Sequence, residues 1–97
     1  MKHKALILNL KGEYFDQIKA GEKTEEYRLV KPYWTNRLEG KEYDKVIVLR
    51  GYPPAGAVKR RLDFPWRGYE IKTIVHPHFG NEPVKVYAIE LRKEKPQ

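Results

Sequence analysis

Cysteine is absent from the 97 residues of this chain, and methionine occurs once. Without thiols there is no disulfide framework, no cysteine nucleophile and no cysteine-ligated zinc. No apolar run approaches the roughly 20 residues that span a bilayer. The run Ala5 to Leu10, behind Met1-Lys2-His3-Lys4, is too short for a signal peptide and has no small-residue cleavage site. A cytoplasmic protein with no membrane partner is therefore expected. A glycine-rich phosphate loop, a G-x-S-x-G elbow and an H-E-x-x-H helix are also missing, so nucleoside triphosphate hydrolysis, serine hydrolysis and zinc proteolysis have no support. His76-Pro77-His78 places two imidazoles two residues apart, but His3 is distant and nothing completes a ligand set, so neither a metal nor a cofactor is expected.

What is present suits one folded domain over residues 1–97, with 34% charged and 40% hydrophobic residues. Many Lys and Glu with few Asn, Gln and Met lean toward a thermophile's composition. The net charge of +7 is uneven. Residues 45–72 hold seven Lys/Arg against two Asp/Glu and so carry +5 of it. Such a patch favours a polyanion, nucleic acid first and an anionic membrane surface second.

Ala5 to Leu10 reads as a strand apolar on both faces, packed between a barrel interior and a helix. Tyr14, Phe15 and Ile18 fall at helical spacing within Glu13 to Ala20, and Gly21 supplies a left-handed stop. An extended stretch follows to about Val30, with Thr24, Glu26 and Arg28 on one side and Glu25 and Tyr27 on the other. Pro32 ends it. Tyr33 to Leu38 forms one or two helical turns, with Tyr33, Trp34, Arg37 and Leu38 on one face and Gly40 closing it. Strands are then expected at Lys45–Gly51, Ala57–Asp63, Tyr69–Val75 and Val84–Arg92, separated by Pro- and Gly-rich turns. Short strands in so small a chain predict an α+β fold whose curved mixed sheet forms a small β-barrel, closed at an end by one or two short helices.

The stretch Gly21-Glu22-Lys23-Thr24-Glu25-Glu26-Tyr27-Arg28 gathers a hydroxyl, a carboxylate and a guanidinium on one face, with Lys23 at the mouth of the turn. A core has no use for such a row, because charged side chains are rarely buried unless paired. The plain alternative is a surface ion pair between Glu26 and Arg28, worth about 0 to 1 kcal/mol. The spacing G-x-K-x-x-E-x-R, met by Gly21, Lys23, Glu26 and Arg28, resembles the signature of the ASCH domain family. That resemblance implies a fold similar to the PUA domains of RNA-modifying proteins, and a cleft that binds RNA or a nucleotide derivative. Some relatives look like small amidohydrolases acting on N-acylated cytidine, in which a lysine followed by a threonine is implicated. Lys23-Thr24 matches that pair, which makes Lys23, Thr24 and Glu26 the catalytic candidates. In that branch the carboxylate comes from later in the chain, so Glu70 or Glu82 would have to serve. A nucleophilic or basic lysine needs a neighbouring cation that eases loss of its proton, and Arg28 would supply one.

A second constellation is Arg50, Lys59-Arg60-Arg61 and Trp66-Arg67. Cations interleaved with aromatics suit single-stranded RNA, whose phosphates take the cations and whose splayed bases stack on rings. The plainer alternative is a solvated charge run with Phe64 and Trp66 in the core, and Tyr33-Trp34 as an apolar anchor over the barrel mouth. Three functions are thus expected in order: an RNA- or nucleotide-binding domain, a small hydrolase (an amidohydrolase or a ribonuclease), and a protein-interaction module whose partner the sequence does not name.

Overall fold

Two apolar segments of the chain each become the middle strand of a small sheet. The structure is a computed structural model and describes residues 4–51 and 61–92. Its elements run β1 (Ala5–Leu10), α1 (Gly12–Lys19), β2 (Glu25–Leu29), α2 (Pro32–Leu38), β3 (Lys45–Arg50), β4 (Arg61–Pro65), β5 (Tyr69–Ile74) and β6 (Val84–Glu90), with a 3-10 turn over Pro77–Phe79. Val46 and Val48 of β3 are fully buried, and β3 lies between β1, to which it is parallel, and antiparallel β4. Val86, Tyr87, Ala88 and Ile89 of β6 form an unbroken buried run, and β6 lies between β2 and β5, antiparallel to both.

The fold is α+β, with two helices and six strands, but no closed barrel forms among the described residues. The expected curved barrel is replaced by two three-stranded sheets around one core, built from Leu6, Leu8, Leu10, Phe15, Ile18, Leu38, Val46, Val48, Phe64, Tyr87, Ile89 and Leu91. The faces of β1 also differ from expectation. Only its even-numbered side chains are buried; Ile7 is 44% exposed, so the strand has one wet face instead of two dry ones. By contrast β6 is dry on both faces from Val86 to Ile89. The part of the expected Ala57–Asp63 strand before Arg61 lies outside the described residues.

Helix α1 starts at Gly12, one residue before the expected position. It ends in a closed C-terminal turn. Gly21 N–H donates to Ile18 O, Glu22 N–H donates to Gln17 O, and Gly21 takes φ 79°, a conformation that suits glycine. Lys23 N–H also donates to Gln17 O at 3.2 Å, so the direction of the motif lysine is set by the end of α1. Pro32 both ends β2 and occupies the first turn of α2, where its missing N–H costs nothing. The buried Tyr87 hydroxyl ties α2 to β6, donating to Glu39 Oε2 at 2.6 Å and sharing a hydrogen bond with Thr35 Oγ1 at 2.8 Å. No helix among the described residues is long and apolar enough to cross a membrane.

Candidate functional site: an aromatic cleft over a buried carboxylate

Glu26 is the one buried charged side chain among the described residues, with the residue 7% exposed. Its two oxygens face different cations: Oε1 lies 3.3 Å from Lys23 Nζ, and Oε2 accepts from Arg28 Nη2 at 2.8 Å. The two cations are themselves only 14% and 20% exposed at the side chain, so the surface ion pair considered from sequence is a largely desolvated triad. The carboxylate is thus bracketed by Lys23 at one oxygen and Arg28 at the other. Arg28 Nη2 also donates to the carbonyl of Asn9 at 3.0 Å, linking β2 to β1 across the two sheets. Strand alternation places Glu25 on the other side, where it accepts from Tyr27 Oη and from Lys72 Nζ. The Glu25 bond holds the Lys72 ammonium above its ordinary pKa. Burial first, and the Glu25 charge second, push the Tyr27 phenol up.

The triad forms the floor of a cleft of about 390 Å³, within the range of small-molecule sites. Its walls come from four separated parts of the chain: Asn9, Leu10, Lys11 and Tyr14 around the start of α1; Tyr27, Leu29 and Lys31 along and after β2; Tyr33 and Trp34 of α2; and His76, His78 and Phe79 of the 3-10 turn. The rings face one another and the cations. Lys23 Nζ lies 4.5 Å from the Tyr27 centroid and 5.6 Å from that of Tyr14, and Arg28 Cζ lies 4.9 Å from Trp34. His76 packs 5.7 Å from Tyr14 and 5.9 Å from Phe79, and its Nδ1 accepts the backbone N–H of His78. That bond turns His76-Pro77-His78 into a ring-bearing wall. Among the described residues no group of three or more His, Cys, Asp or Glu is placed to hold a metal ion.

The other motif positions take supporting places. Gly21 shapes the turn before Lys23, and the Thr24 carbonyl accepts from Leu91 N–H at 2.9 Å, pinning the start of β2 to the end of β6. Thr24 does not line the cleft, and neither do Glu70 and Glu82, which are both exposed. The carboxylate of the cleft is Glu26.

The described members of the second constellation, Arg50, Arg61, Trp66 and Arg67, do not line this cleft. Arg50 reaches Asp16 at 3.4 Å, while Arg61 makes a two-pronged pair with Asp63 at 2.7 and 2.9 Å. Arg67 Nε donates to the carbonyl of Arg92, and Trp66 packs edge-on against Tyr43 at the margin of the core. Lys59 and Arg60 lie outside the described residues. The Arg61 hydrogen bonds hold the Asp63 carboxyl well below its ordinary 3.8, at about 2. Local acids thus partly neutralise a stretch that reads in sequence as a run of cations.

Tyr14, Tyr27, His76, His78 and Phe79 are the cleft residues that motif reading passed over. The signal for the last three is a dense set of rings in one loop. Comparison with models of known families, with curated proteins and with solved structures finds no match to this chain.

Proposed function

We propose that this chain binds RNA or a nucleotide derived from it, taking a single base into the aromatic cleft. The observation that carries the reading is the buried Glu26 carboxylate, held between two cations beneath facing rings. A base has two flat faces and a hydrogen-bonding edge. The rings of Tyr14, Tyr27, Trp34 and Phe79 suit the faces, and stacking of this kind is worth about 1 to 3 kcal/mol per base. A fixed carboxylate beside a guanidinium suits the edge, since carboxylates accept from exocyclic amines and arginine donates to ring nitrogen and carbonyl acceptors. Lys11 and Lys31, both exposed at the rim, supply attraction for phosphate. The match to G-x-K-x-x-E-x-R and the order strand, helix, strand, helix, strands support placing the chain with the ASCH domains and their PUA-like fold.

A hydrolase acting on N-acylated cytidine or on a phosphodiester is the second reading, favoured by a largely buried amine and carboxylate 3.3 Å apart. The position of Thr24 outside the cleft counts against the Lys-Thr version of it. A protein-interaction module is the third.

The test is a panel of nucleosides and short single-stranded RNAs titrated against the wild type, Glu26→Gln and Lys23→Arg, with products followed by mass spectrometry. Binding of a base, lost on Glu26→Gln and largely kept on Lys23→Arg without product, is the expected result. Product formed by the wild type and lost on Lys23→Arg establishes the hydrolase, because a guanidinium with a pKa above about 12 neither attacks nor exchanges a proton. No binding to any member of the panel leaves the interaction module.

A further inference from the structure

Trp34 lines two recesses. Beyond the base cleft lies a second opening of about 450 Å³ that shares Asn9, Arg28, Tyr33 and Trp34 with it and adds Ile7 and Arg37. Arg37 is the unusual member. Its guanidinium lies 5.4 Å from the Tyr33 ring and 5.5 Å from that of Trp34, and no carboxylate or carbonyl of the described residues accepts from it. The Nε atoms of Arg28 and Arg37 are both buried without an acceptor. Arg28 at least spends Nη2 on Glu26 and Asn9; Arg37 has two rings and no counter-charge. Stacking fixes the plane of a guanidinium while leaving its outer N–H groups free to donate, the arrangement in which arginine takes a phosphate by two parallel hydrogen bonds. Among the described residues no acid lines the recess, and of its two cations only Arg28 is paired, with Glu26, so the lining keeps a net positive charge.

We infer that this second recess is a phosphate subsite, with Arg37 as its principal ligand and Arg28 shared with the base cleft. This rests on the nucleotide reading and deepens it: the substrate class is a phosphorylated nucleotide or an RNA strand, its base in the first recess and an adjoining phosphate in the second. Tyr33, 63% exposed on the open edge, covers the Arg37 plane and limits the approach to the outer N–H groups.

Isothermal titration of a nucleoside, its 5′- and 3′-monophosphates, the matching dinucleoside monophosphate and inorganic phosphate tests this on the intact chain. The wild type, Arg37→Gln and Arg37→Lys are compared, with circular dichroism melts confirming that each variant folds. In the wild type at least one phosphorylated form is expected to bind about ten times more tightly than the nucleoside. Arg37→Gln is expected to abolish that gain without changing nucleoside affinity, and Arg37→Lys to restore only part of it. A gain confined to the monophosphates identifies a terminal phosphate; one shared by the dinucleotide identifies a strand backbone. Equal gains in the wild type and in folded Arg37→Gln overturn the subsite. Nucleoside binding with no phosphate gain overturns it while sparing the base cleft. Inorganic phosphate bound through Arg37, with no nucleoside bound, sinks the base reading and leaves the subsite standing.

Discussion

Glu26 and Arg28, two residues apart on β2, share a 2.8 Å hydrogen-bonded ion pair in which the carboxylate is nine-tenths buried. Opening a buried pair from one side is costly because the other charge stays behind without compensation. Glu26→Gln leaves Lys23 and Arg28 facing an amide. The expected loss is about 2 kcal/mol of unfolding free energy in urea, below that for a fully buried pair because both cations keep some access to water. Arg28→Met is expected to cost a similar amount, and the double variant less than the two together. Strict additivity in that cycle would show that the pair is not coupled.

Gly12 and Gly21 bracket α1, and replacing each by alanine should have opposite effects. Gly21 holds φ 79°, so Gly21→Ala is expected to destabilise by about 1 kcal/mol through backbone strain. A Cβ on Gly12 would lie 2.5 Å from Arg50 Nη2, at the far end of a flexible side chain whose ion pair with Asp16 is exposed. Arg50 can swing away. Gly12→Ala is therefore expected to be neutral or to stabilise by up to about 1 kcal/mol, because alanine favours the helix. Thermal melts of the two variants decide it, and equal losses would overturn the assignment.

Acid should act through Asp63. Its folded-state pKa of about 2 lies below the ordinary 3.8, so its contribution to stability is complete above about pH 4 and fades as the pH falls from 3.8 toward 2. Asp63→Asn is expected to flatten that part of the acid-unfolding curve while leaving the rest in place. Carboxyl chemical shifts followed by NMR should show one aspartate titrating near pH 2. An Asp63 midpoint near 4 would remove the basis of the prediction.

At the alkaline end the sign reverses. Burial foremost raises the phenols of Tyr14, Tyr27 and Tyr87 above their usual value near 10, so folding favours their protonated forms, and that stability is lost as the pH climbs through the raised values. For Tyr87 the hydrogen bond to Glu39 adds to the rise. Tyr87→Phe removes the tie from β6 to Thr35 and Glu39 and is expected to cost about 1 kcal/mol at neutral pH. It should also loosen the seating of Trp34, read as a red shift of tryptophan fluorescence. An unchanged spectrum would separate the tie from the cleft.

The motif itself was legible because strand alternation is a local rule. From Thr24 onward the backbone fixes which side chains share a face, and Glu26 and Arg28 do meet there. The closure of α1 at Gly21 was legible for the same reason. The walls were not, because Tyr14, Trp34 and the His76 to Phe79 turn are brought together by the packing of β1, α2 and β6, which no local period encodes. Nor was the partner of Arg50 legible, because Asp16 lies far from it in the chain and meets it only in space. The expectation that β1 is dry on both faces failed at Ile7 and Asn9, whose side turns toward water and the clefts.

The bond from Arg28 to the Asn9 carbonyl joins β2 to β1, strands that belong to different sheets and share no ladder. The arginine assigned to the ligand is thus also a rivet between the two halves of the fold. Anything that presses on its guanidinium pulls on both. A ligand seated there should slow amide exchange along β3 and β6 alike, although neither strand lines the cleft, and the stiffening should spread outward from Arg28.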